Sequence, residues 1–204
     1  MLVRSAAGSL VMAVAFTLPA ACGGGSSPAK SSVGKPAPTV SPPLLELNVG
    51  PAPWPAPDHG VQRMAAAGLP RLKAEALAFH VHAHLDVFVD GTRVPVAAGI
   101  GIDVVARRIS TLHTHDRSGW IHMEAPRRET FTLGRLFTEW GVRLTATCVG
   151  GYCAPQTHVR LYVGGHERTG DPTAIPIVGH EEIAIVIGTP PAEIPSSYDF
   201  QGSP

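Results

Sequence analysis

The stretch His80 to Gly91, HVHAHLDVFVDG, constrains the fold more than any other part of the chain. Val81, Ala83, Leu85, Val87 and Val89 alternate with His80, His82, His84, Asp86, Phe88 and Asp90. An extended chain sends successive side chains to opposite faces, so this alternation marks a strand with one buried face. Asp90-Gly91 is a hairpin turn into a returning strand, Arg93 to Val96. His158 to Val163, ending in Gly164-Gly165, and Glu182 to Ile187 read as further strands. The spacing predicts a short helix over Val61 to Ala67, ended by Gly68 and Pro70. A second runs from Thr132 to Trp140, with Thr132 as N-cap and Gly141 as the stop. Leu133, Leu136, Phe137 and Trp140 give it one apolar face. The expected class is α+β and β-rich: a small antiparallel sheet and hairpins with a short amphipathic helix.

Residues 1–22 read as a lipoprotein-type signal peptide. Arg4 precedes the apolar run Leu10 to Leu18, which is too short to span a bilayer. Leu18-Pro19-Ala20-Ala21-Cys22 resembles a lipobox, with Pro19 departing from the usual aliphatic residue. Cys22 is the expected lipidation point, which places the protein in the cell envelope on the outer face of the membrane. A freely secreted protein is the alternative. Residues 23–58, rich in Pro, Gly and Ser, read as a linker, with PAPWPAP favouring an extended spacer. Residues 59–204 are the histidine-rich domain.

Outside the cytoplasm a disulfide is permissible. Once Cys22 is set aside, Cys148 and Cys153 remain of the three cysteines. They bracket a turn-like loop, so a bridge across it is expected; two thiolate metal ligands are the alternative. With 16 basic and 16 acidic residues the formal charge is zero, and no basic patch points to nucleic acid.

Six of the ten histidines crowd into two blocks: His80, His82 and His84, then His113, His115 and His122. On one strand, alternate positions lie about 6.5 to 7 Å apart, so two imidazoles there can reach one ion and a third needs help from another strand. Asp116 to Gly119 reads as a hairpin loop that sets His113 opposite His122 and Thr111 opposite Glu124. Leu112, Ile121 and Met123 then face the core. The expected site combines two of His80, His82 and His84 with His113 and His122. His115, Asp86 and Glu124 serve as further ligands or as acceptors that orient a ring. Neutral imidazole with carboxylate suits Zn²⁺ or Cu²⁺. His59, His158, His166 and His180 read as surface or turn residues.

His82-Ala-His84-Leu-Asp86 resembles the start of the metallo-β-lactamase motif, but Val87 stands where that motif needs a histidine. Most of the folded domain is similar to an uncharacterised family of bacterial and archaeal extracytoplasmic histidine-rich proteins, some of them lipoproteins. The resemblance rests on His80 to Val89, Leu112 to Glu124, Phe131 to Val142, Cys148 to Cys153 and His180 to Pro190. It implies an anchored or secreted domain with a histidine site and assigns no activity.

These residues favour a carrier, sensor or store of Zn²⁺ or Cu²⁺ over an enzyme, because no nucleophile or acid–base pair accompanies the ligands. Two alternatives stay open. One is a metal-dependent hydrolase or lyase with an open coordination position and Glu124 or Asp86 as base. The other is an envelope interaction domain whose histidines respond to pH.

Overall fold

The computed structural model describes residues 45–203. The signal peptide, Cys22 and the spacer as far as residue 44 lie outside the described residues. Among the described residues, no helix is long and apolar enough to cross a membrane.

Alternation produces the expected long strand β1, Phe79–Val89. Asp90-Gly91 turns it into β2, Thr92–Val94, paired antiparallel to its second half. The histidine hairpin forms β3, Leu112–His113, and β4, Trp120–Ala125. Later come β5, Val159–Val163, β6, His166–Arg168, and β7, Glu182–Ile187. They assemble in the order β6-β5-β7-β1-β4-β3, with β2 also on β1. Every pairing is antiparallel except β1 with β7, which run parallel at the centre of the sheet. Three two-residue ladders decorate it: 102–103 with 108–109, 131–132 with 176–177, and 148–149 with 152–153.

The apolar face of β1 (Ala83, Leu85, Val87) is fully buried, as are Leu112, Ile121 and Met123 from the hairpin. Helix α1, Gly60–Ala66, and helix α2, Leu133–Trp140, complete the β-rich α+β fold. The Thr132 side chain caps α2 by accepting from the Arg135 amide, and Leu133, Leu136, Phe137 and Trp140 are buried. Gly141 ends the helix at φ 73°, where L side chains are strained.

Residues 45–58, assigned from sequence to the extended spacer, lie against the domain. Trp54 is 3% exposed and packs edge-on against Trp140, ring centroids 5.4 Å apart. The Trp140 indole N–H donates to the Pro55 carbonyl at 3.0 Å. Proline sets the segment's extended shape, and the tryptophan gives it an apolar surface to bury. Cys148 and Cys153 form the expected disulfide across their two-strand ladder, so the alternative of two thiolate ligands does not hold.

Candidate metal centre

Register brings the two histidine blocks together. β1 and β4 pair with His80 opposite Glu124 and His82 opposite His122, and β3 sets His113 opposite that same His122. The hairpin therefore has the register expected from its four-residue loop. The Glu124 amide also donates to the Thr111 carbonyl at 2.9 Å.

Four donor atoms converge in a first group. His82 Nε2 stands 3.0 Å from His80 Nε2 and 3.0 Å from His122 Nδ1. Glu124 Oε1 stands 3.2 Å from His80 Nε2 and 3.3 Å from His122 Nδ1. Bonds of 2.0–2.1 Å to a tetrahedral ion put its ligands roughly 3.3 Å apart, close to these separations. Hydrogen bonding alone accounts for them poorly. An sp² ring nitrogen has one in-plane lobe, carrying either a proton or a lone pair. His82 Nε2 nevertheless faces two other ring nitrogens. A cation between them satisfies every lone pair at once.

A second group joins His113, His115, His122 and Glu124. His113 Nε2 and His115 Nε2 are 3.1 Å apart, and Glu124 Oε2 lies 4.0 Å from His113 Nε2. The Nδ1–H of His113 donates to the Ser110 carbonyl at 2.9 Å, which leaves Nε2 with its lone pair. Gly101 lies hard against the strand that carries this ring: a Cβ there would meet the Leu112 carbonyl and come within 3.0 Å of His113 Cβ. His115 is the accessible member, its side chain 42% exposed and 3.3 Å from Glu75 Oε1.

Burial sets the electrostatics. It pushes His113 down to about 3, helped by the neighbouring His115 and His122. Burial likewise lowers His122 to about 4, with His82 and His115 adding to the shift. Both rings are therefore neutral, with lone pairs free, at any pH near 7. Burial raises the Glu124 carboxyl, and Glu75 adds to the rise. Glu124 is 3% exposed, and its Oε2 makes no hydrogen bond. A buried carboxylate oxygen with no partner is costly, and this one points among imidazoles.

His84 lies apart from both groups. It joins Asp86 and Glu182, all three buried. Its Nδ1 is 2.7 Å from Glu182 Oε2, across the parallel β1–β7 pair. Its Nε2 lies 3.1 Å from the Arg93 guanidinium, which also pairs with Asp86 and donates to the Ser118 carbonyl. Tyr198 stacks on the ring at 3.8 Å. Arg93 thus already supplies the positive charge here. Asp86, one of the two bases considered for an enzyme, is tied up in that ion pair, whereas Glu124 stands inside the first two groups. Burial also raises Glu182, with the His84 hydrogen bond opposing it.

Sequence reasoning missed Glu182, Arg93, Glu75 and Tyr198. Glu182 carried a signal, being a lone carboxylate at the head of the aliphatic strand EIAIVI. Glu75 and Tyr198 fall in stretches without periodicity. His59, His166 and His180 sit at turns or on exposed strand, as expected, and none joins a histidine group. Glu139 on α2 is a further buried acid, its carboxyl pushed up to about 8 by burial against the opposing pull of Ser110 and Arg135. The structure thus holds several histidine–glutamate groups close enough to bind a metal ion. No protein-family model, curated protein or solved structure matches this chain.

Proposed function

We propose that this protein binds Zn²⁺ or Cu²⁺ through its histidine–glutamate centre, as a carrier, sensor or store on the outer face of a membrane. The observation that carries the reading is the first group: three imidazole nitrogens and one carboxylate oxygen converge with neighbouring donors 3.0 to 3.3 Å apart. Nitrogen donors with a single carboxylate suit these two metals better than Mg²⁺ or Ca²⁺, which take oxygen ligands. Lipidation at Cys22 would tether the domain. The disulfide suits an oxidising compartment.

The test is elemental analysis of the full chain, expressed with export and purified without a histidine tag. It is compared with a His82→Ala/His113→Ala variant. Near-stoichiometric zinc or copper, lost in the variant, is the expected result. A folded protein that takes up neither metal, even after reconstitution, overturns the proposal.

A further inference from the structure

The two histidine groups share His122 and Glu124 and differ in their other donors. The first is complete with four donors: His80 Nε2, His82 Nε2, His122 Nδ1 and Glu124 Oε1. Once these surround an ion, His113 and His115 are left over. Their nitrogens are 3.1 Å apart, the same bite as within the first group. Glu124 Oε2 is left over too: buried, without a hydrogen bond, and 4.0 Å from His113 Nε2. At 4.0 Å the Glu124–His113 pair is wider than the roughly 3.3 Å of a tetrahedral site, so an ion held by all three atoms draws carboxylate and ring together by about 0.7 Å. A carboxylate with one oxygen in each of two ligand sets is how a single side chain serves two cations.

We infer that the centre is dinuclear, with Glu124 bridging two ions. This rests on the metal-binding reading above and adds a second ion, a bridge and an order of affinity. The inner ion takes the first group. The outer ion takes His113 Nε2, His115 Nε2 and Glu124 Oε2. The outer ion has one donor fewer from the histidine–Glu124 set, and it sits on the side of the exposed His115, where water competes with the ligands. It therefore binds more weakly and exchanges faster, and its open position admits water or an added anion. The bridge also explains the buried Glu124: two cations offset the cost of desolvating one carboxylate, where one cation would leave Oε2 stranded.

Calorimetric titration of the metal-free full chain with Zn²⁺ tests this. Two equivalents are expected, the second at least tenfold weaker. His115→Ala, a half-exposed position, should abolish the weak event and keep the tight one. His80→Ala should weaken the tight one. Circular dichroism checks that each variant is folded. With Cu²⁺, one equivalent should give an isolated-spin paramagnetic resonance spectrum, and two equivalents the signature of coupled spins. A single equivalent weakened alike by His115→Ala and His80→Ala would overturn the dinuclear centre and leave metal binding standing. Two equivalents without spin coupling would overturn the bridge. No uptake at all would overturn both this inference and the reading beneath it.

Discussion

His82 and His84 are two residues apart on one strand and face the same way, yet they meet different partners. His82 meets rings from β1 and β4, whereas His84 meets Glu182 from β7 and the Arg93 guanidinium. On the proposed function this divides the histidines into ligands and a structural residue, two roles with opposite signatures. Removing the His84 ring strands a buried carboxylate, so His84→Ala should cost about 3 kcal/mol of folding stability, the scale for breaking a buried pair. Zinc stoichiometry should stay unchanged. Urea unfolding and a zinc titration on the same variant check it. Loss of a bound ion together with the stability would return His84 to the ligand set.

At the scale of elements, β1 was legible because its alternation is strict, and the hairpin because a four-residue loop dictates its register. That register placed His113 opposite His122, and Glu124 in range, without a structure. What the sequence could not show was which strand lies on the far side of β1. Leu85 and Ile183 are neighbours across a parallel pair whose partners stand 98 residues apart in the chain, and no local pattern announces a pairing so remote. Residues 45–58 read as spacer in the sequence yet lie against the domain, for a related reason. Proline-rich chain looks like spacer unless something gives it a surface to bury, and here Trp54 does. The disulfide hairpin belongs to a ladder separate from the histidines, so its contribution is to stability alone. Closing so short a loop contributes about 2 kcal/mol. Reduction, or Cys148→Ser/Cys153→Ser, should lower the unfolding free energy by that amount and leave zinc uptake intact. Metal loss on reduction would tie the hairpin to the centre.

Across the whole molecule, the buried acids give metal-free protein a distinctive pH response. Glu139 titrates at about 8 folded, against 4.5 for a free side chain. The folded state thus holds a proton that the unfolded chain has released. Its contribution is complete below 4.5 and is lost progressively as pH rises through 8. Metal-free protein should therefore be less stable at pH 8.5 than at pH 6.5. Glu139→Gln, which keeps the shape of the protonated acid, should flatten that fall. Thermal unfolding of both forms at the two pH values checks it, and an unchanged slope in the variant would assign the fall to other groups.

The order in which the ligands arrive has a consequence for delivery. His80 and His82 stand about forty residues before His122 in the chain and meet it only when β1 has paired with β4. Before that pairing each block offers at most neighbouring rings on a flexible strand, and no pocket exists. A chain that crosses a membrane unfolded thus crosses before its centre is assembled. The centre proposed here would fill on whichever side the sheet closes, from the metal that side supplies.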